Sequence, residues 1–89
     1  MSGAPPGLIA GVVRDQSGAP VQDARVYFTD APGAVPDVAA LTGADGCFSL
    51  AAPLDGTYTL ECGADGFAAA RATVASRDGA GVELTLRAR

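Results

Sequence analysis

Residues 42–67 read TGADGCFSLAAPLDGTYTLECGADGF, and this stretch decides the fold class. It contains two short runs of alternating apolar and polar residues, CFSLA and TYTLEC, each bounded by Gly, Ala, Pro or Asp. An alternation with a period of two is typical of a half-buried β-strand, and Gly, Pro and Asp at its borders favour turns. The two runs therefore predict neighbouring strands, which we expect to form a hairpin on Asp55 and Gly56.

The same alternation assigns side chains to the two faces of each predicted strand, because successive side chains of a strand point in opposite directions. Tyr58 has inward parity, so we expect a core ring whose hydroxyl is bonded to nearby backbone. The predicted core consists of Ile9, Val13, Val26, Phe48, Leu50, Tyr58, Leu60, Phe67 and Leu84.

The tetrapeptide Gly-Ala-Asp-Gly occurs twice, at residues 43–46 and 63–66, and a predicted strand follows each copy. An Asp side chain bonds readily to its own backbone, and the Gly after it accepts a positive φ. A phosphate-binding loop would instead need a helix after the glycine. Tight turns are therefore predicted, and the turn residues are Asp45, Gly46, Asp55, Gly56, Asp65 and Gly66.

A calcium site is the alternative reading of these turns. The turns after the first, third and fifth strands should share one end of the molecule, which would bring together Asp15, Asp45 and Asp65. Calcium needs several oxygen ligands converging within about 2.5 Å. Each loop supplies one Asp and none has a D-x-D spacing, so the ligand supply favours plain turns and no obligatory metal.

Cys47 and Cys62 are the two cysteines of the chain. Cys62 shares the inward parity of the fifth strand, whereas Cys47 has the opposite parity to the inward residues of the fourth strand. Thiols on opposite faces do not bridge easily. We therefore expect a buried Cys62 and a surface thiol at Cys47.

The remaining strands follow from similar runs separated by turn residues. The loop between the second and third strands carries two prolines and a glycine, which prevent strand pairing. The last two runs differ in clarity: one is alanine-rich, but its β-patterned neighbours favour a strand over a helix, and the other alternates cleanly. The five further predicted strands are residues 7–14, 23–29, 38–42, 67–75 and 81–89, which makes seven in all.

Length and charge limit the possible functions. Eighty-nine residues are enough for one domain, predicted at residues 8–89 after a flexible tail at residues 1–7. The net charge of −4 at pH 7 would repel a phosphate backbone, so nucleic acid is not expected as a partner. No run approaches the length of a membrane span and no export signal is recognisable, so we expect no membrane association and a cytoplasmic protein as synthesised.

Missing residue types argue against an enzyme. The chain has no His and no Lys, which removes the usual general base, the Schiff-base amine and the imidazole metal ligand. We expect neither catalysis nor a cofactor. The bias towards Ala, Gly and Arg without Lys is typical of a high-GC bacterial coding sequence.

Together these strands and turns resemble the carboxypeptidase regulatory-like domain. The resemblance is carried by IAGVVRDQSGAPVQDARV, TGADGCFSL, LDGTYTLECGADGF and VELTL, and runs from about residue 9 to residue 86. It implies an all-β, seven-stranded Greek-key sandwich of the transthyretin-like type. It also implies a non-catalytic module, because members of the family mostly serve in packing, display or docking.

We therefore expect a β-sandwich that docks to another protein as a structural or adaptor subunit. The outward side of the first strand, with Leu8 and Val12, is apolar where polar residues would meet water. Val35 in the Pro-rich loop 31–36 and the outward Tyr27 complete the candidate docking residues.

Two other functions stay open. The resemblance also implies an accessory piece of a phage-tail-like contractile or type VI secretion spike that links tip and cargo, which would be exported with the apparatus. A carbohydrate-binding module would need a platform of exposed aromatic rings, and a chain with no Trp and two Tyr supplies little for stacking.

Overall fold

A computed structural model describes residues 7–35 and 39–89. Within these residues the chain forms eight strands and one short 3-10 helix, Ser76–Asp78, which lies between the last two strands. The strands are β1 (Leu8–Asp15), β2 (Arg25–Asp30), β3 (Ala40–Leu41), β4 (Cys47–Ala51), β5 (Thr57–Gly63), β6 (Phe67–Ala68), β7 (Ala70–Ala75) and β8 (Val82–Ala88).

The strands form two four-stranded sheets that pack as a sandwich. The strand order is β4-β1-β8-β6 in one sheet and β3-β2-β5-β7 in the other. β1 and β8 are parallel, whereas the other named pairs of neighbours are antiparallel. The predicted all-β sandwich class is confirmed.

The predicted sixth strand, residues 67–75, is divided in the structure. β6 pairs with β8 in one sheet and β7 pairs with β5 in the other, so the chain changes sheets at Ala69. This division accounts for eight described strands where seven were expected. The alanines of this segment gave the weakest strand signal in the sequence.

The core lies between the two sheets. Of the nine predicted core residues, eight are buried and Phe67 is half-buried against the others. The rings of Phe28 and Tyr58 pack in a tilted arrangement with their centroids 4.7 Å apart. The further buried apolar residues are Val21, Ala24, Ala52, Cys62 and Leu86.

The predicted hairpin between the fourth and fifth strands is wrong. β4 belongs to one sheet and β5 to the other, so the turn with Asp55 and Gly56 crosses between sheets. β4 pairs instead with β1, and this pairing continues where the Ala52 amide donates to the Gly7 carbonyl at 2.6 Å. Alternation fixes which side of a strand is buried, but it leaves the hydrogen-bonded partner undetermined.

Two predicted boundaries also need correction. The third strand, expected at residues 38–42, is described only as β3, because Val38 lies outside the described residues and Thr42 follows the strand. The buried Thr42 hydroxyl accepts the Ala24 amide at 2.9 Å and donates to the Val21 carbonyl at 2.6 Å. Residues 1–6 of the predicted tail lie outside the described residues as well.

Candidate functional site

The loop after β1 and the two Gly-Ala-Asp-Gly turns lie at the same end of the sandwich. Asp15 Oδ1 accepts the Ser17 hydroxyl at 2.6 Å, the Ser17 amide at 2.9 Å and the Ala19 amide at 3.1 Å. Asp45 Oδ1 accepts the Cys47 amide at 3.0 Å. The Ser17 hydroxyl lowers the pKa of Asp15 and the Cys47 amide lowers the pKa of Asp45. Both carboxylates therefore stabilise local turns.

The structure does not gather the three aspartates of the calcium hypothesis into a ligand set. In residues 7–35 and 39–89, no group of three or more Cys, Asp or Glu side chains is placed to hold a metal ion. Asp65 is exposed in the second Gly-Ala-Asp-Gly turn, which lies beside Arg25. The geometry of Asp15 and Asp45 matches the turn interpretation.

An apolar surface covers the outer side of β1 and β4. In the register of the two strands, Leu8 lies opposite Ala51, and Val12 lies opposite Cys47. Leu8 is 36% exposed. Beyond Val12 the next outward residue of β1 is Arg14, which forms an ion pair with Glu83 at 3.7 Å. We call this surface the β1–β4 face, and its members are Leu8, Ala10, Val12, Cys47, Ser49 and Ala51.

Tyr27 lies on the outer side of the other sheet, away from the β1–β4 face. Its hydroxyl donates to Glu61 Oε2 at 2.8 Å, and Arg71 Nη2 donates to Glu61 Oε1 at 2.8 Å. The Arg71 bond, and then the Tyr27 bond, lower the pKa of Glu61, while the bond to Glu61 raises the pKa of Tyr27. The three residues are direct neighbours across β2, β5 and β7, a ladder that the sequence alone did not reveal because it depends on register.

Val35 is not the exposed contact residue that the sequence predicted. It is half-buried and packs against the core. Pro32 of the same loop packs against Gly56, and its ring leaves no room for a side chain at Gly56. An apolar loop residue in so small a domain gains more from covering the core than from facing water.

The two thiols lie in different environments. Cys47 is exposed and Cys62 is fully buried, and both are free. Burial raises the pKa of Cys62 to about 11. Desolvation, followed by the neighbouring Asp45, raises the pKa of Cys47. Neither thiol is therefore activated as a nucleophile.

The surface has open grooves at both ends of β7. A groove of about 490 Å³ lies at its C-terminal end, lined by Thr57, Ala75 and Arg77 among others. A smaller groove of about 190 Å³ lies near its N-terminal end, lined by Arg25 and Arg89 among others. Each groove includes predicted turn residues, Asp55 and Gly56 in the first and Asp65 and Gly66 in the second.

The model of the carboxypeptidase regulatory-like domain family matches residues 8–88. The chain belongs to this family. Carboxypeptidase regulatory-like domains are typically non-catalytic β-sandwiches. No curated protein matches the chain. Among the described residues of this carboxypeptidase regulatory-like domain, no helix has the length and apolar character needed to cross a membrane.

Proposed function

We propose that this carboxypeptidase regulatory-like domain is a non-catalytic module that docks to another protein as a structural or adaptor subunit. The β1–β4 face carries the proposal. All six of its side chains are small or apolar and none is charged. The outer side of a solvated antiparallel sheet normally carries polar residues. A contiguous apolar surface in that position marks an interaction site.

The shape and chemistry of the face suit a flat apolar partner surface. Leu8 and Val12 supply the larger side chains, and the small residues of β4 allow close approach of another sheet or helix. The exposed ion pair of Arg14 and Glu83 borders the apolar area, as polar rims border protein interfaces. The surrounding rim keeps water away from the apolar contacts at the centre of an interface.

The absence of catalysis is part of the proposal. The chain has no His or Lys to act as a base, and the pKa of both thiols is raised. Docking also has more support than carbohydrate binding. Tyr58 is fully buried, and Tyr27 is only partly exposed beside Glu61, so the tyrosines do not form a stacking platform.

Substitution on the β1–β4 face tests the proposal. Val12→Asp and Ala51→Asp should each weaken recovery of the native partner from a lysate of the source organism, because an unpaired carboxylate is costly to bury. Thr85→Asp is the matched control, since Thr85 is exposed on the same side of the same sheet, beyond the apolar area.

Circular dichroism should show that all variants are folded before recovery is compared. Equal recovery by wild type, Ala51→Asp and Thr85→Asp would contradict the proposal. Ala51 is exposed, so its variant stays informative if Val12→Asp fails to fold.

A further inference from the structure

The edge of β7 is a second place where this domain can engage a partner. We propose that β7 accepts an extended segment of a partner polypeptide as a fifth strand of its sheet. The inference rests on the proposed docking function and names the chemistry of one partner. β7 is the last strand in the order β3-β2-β5-β7, and within the described part of the chain it pairs with β5 alone.

The register of β5 and β7 shows which backbone groups of β7 are already used. The Ser76 amide donates to the Gly56 carbonyl at 2.8 Å, and these two residues continue the antiparallel register of the strands. Hydrogen-bonded pairs alternate with non-hydrogen-bonded pairs in such a ladder. The residues of β7 that bond to β5 are therefore Ala70, Ala72 and Val74.

The alternate residues of β7 point their amides and carbonyls away from β5. These residues are Arg71, Thr73 and Ala75. Among the described residues, the backbone groups of Arg71 and Thr73 make no hydrogen bond outside the strand pairing with β5. Ala75 is the N-cap of the 3-10 helix Ser76–Asp78, so the open edge ends there. A row of outward backbone donors and acceptors at strand spacing is complementary to another extended backbone.

Apolar side chains at this edge add a second contribution. Ala70, Ala72 and Val74 point towards the core and are only half-buried, as is Val82 on the neighbouring β8. By contrast, Tyr58 and the other inward residues of β5 are fully buried. A strand paired with β7 would place every second side chain over these half-buried groups and remove them from water.

The usual devices that block an edge strand are weak on β7. Natural edges are protected by Pro, Lys, bulges or inward charges. The sequence of β7 is ARATVA, and its one charged group, Arg71, is drawn back over its own sheet by Glu61 at 2.8 Å. β3 and β6 are only two residues long.

The edge of β4 is already partly occupied, which distinguishes it from β7. The Cys47 amide donates to Asp45 at 3.0 Å, and the Cys47 carbonyl accepts the Gly43 amide at 3.3 Å. The inward residues Phe48 and Leu50 are also buried, so an added strand would gain little apolar burial there.

Charge at the start of β7 narrows the chemistry of the partner. Arg25 and Arg89 line the groove beside Ala69, where Asp65 is the opposing charge. Two guanidinium groups against one carboxylate favour an acidic residue at the end of the incoming strand. The segment that fits is extended, with small β-branched residues in its centre and a carboxylate at its end.

A synthetic peptide tests the inference directly. The probe has seven residues, alternating Val and Thr between terminal Asp residues, with both ends capped. Titrated to millimolar concentration into the isotopically labelled domain, it should shift the amide signals of Arg71 and Thr73 and slow their hydrogen exchange. A peptide N-methylated at alternate residues should cause neither effect, because it lacks one row of donors and clashes at that edge.

A matched pair of variants removes one outward donor. Thr73→Pro deletes an amide that is not bonded to β5, and Pro is tolerated on an open strand edge. We expect at least about tenfold weaker peptide binding for Thr73→Pro, whereas Thr73→Ala, which keeps the amide, should stay within about twofold. The N-methylated peptide keeps the test decisive if Thr73→Pro fails to fold.

Three outcomes would overturn the inference. The first is no shift at β7 with the millimolar probe, and the second is equal binding of the N-methylated peptide. The third is protection of the β7 amides without peptide that increases with protein concentration, which would assign the edge to a second copy of the chain. Val12→Asp should bind the probe like wild type, so failure at β7 and failure of the β1–β4 face are distinguishable.

Discussion

The Tyr58 hydroxyl is hydrogen-bonded to both backbone groups of Leu54, accepting its amide at 2.9 Å and donating to its carbonyl at 2.8 Å. Leu54 lies in the segment that crosses from β4 in one sheet to β5 in the other. One buried side chain therefore satisfies both backbone groups of Leu54 in a crossing that has no ladder of its own. The same ring packs against Phe28, so the crossing is tied to the core.

Removing this hydroxyl should destabilise the domain. Tyr58→Phe leaves the Leu54 amide and carbonyl without their partner, and we expect the free energy of unfolding to fall by about 1–3 kcal/mol. Tyr27→Phe is the control, because it deletes a hydroxyl bonded to Glu61 on the sheet surface and should cause a smaller loss. Urea unfolding followed by circular dichroism measures both. Equal losses of stability would show that the two bonds to Leu54 stabilise the domain no more than the surface bond between Tyr27 and Glu61.

The two thiols should differ in their rates of alkylation. Cys47 is exposed and should react with iodoacetamide in the folded protein, although more slowly than free cysteine because its pKa is raised. Cys62 is buried with a pKa of about 11 and should react only when the domain unfolds. Mass spectrometry of the digested protein measures each site. A peptide linking Cys47 to Cys62 would contradict their placement.

Acid should remove the contribution of Asp15. Its pKa is lowered in the folded state, chiefly by the Ser17 hydroxyl, so its stabilising effect is present above the unfolded value of about 3.9 and is lost as pH falls through the folded value. Asp15→Asn keeps an acceptor but does not titrate. The variant should be less stable than wild type at pH 7, and the difference should narrow below about pH 4. Stability curves that stay parallel at all pH values would contradict this assignment.

The sequence predicted the inside and outside of most strands because parity depends only on local geometry. Phe48 and Leu50 alternate with exposed neighbours in β4 as expected, and Leu84 and Leu86 do so in β8. The regular spacing of the turn residues and the family resemblance both predicted the sandwich. Choice of partner strand was not predictable, since nothing in CFSLA or TYTLEC says whether the two runs share a sheet.

The candidate site was less predictable than the fold. Leu8 lies on an outward apolar face as the pattern indicated, but Val35 is packed against the core because loops carry no parity. The ladder of Tyr27, Glu61 and Arg71 brings together residues far apart in sequence, so it became visible only with the register of three strands. The open edge of β7 likewise depends on sheet order.

The two Gly-Ala-Asp-Gly turns offer a comparison of identical tetrapeptides in different surroundings. Gly46 and Gly66 have φ of 77° and 85°, so an alanine at either position is strained in the left-handed region. A Cβ at Gly46 would lie 2.5 Å from the Val13 carbonyl oxygen and 3.0 Å from the Pro20 Cβ, whereas a Cβ at Gly66 would meet no atom within 4 Å.

Gly66→Ala should therefore cost only the backbone strain, about 1–2 kcal/mol, partly offset by the lower entropy of the unfolded chain. Gly46→Ala should cost more, because the clash would displace the bond between the Val13 amide and the Gly46 carbonyl at 2.8 Å. Thermal and urea unfolding of both variants measure the difference. Equal losses would mean that both turns depend on backbone conformation alone. A larger loss at Gly46 would show that close packing of the first turn against β1, and not the shared tetrapeptide, determines its tolerance of a side chain.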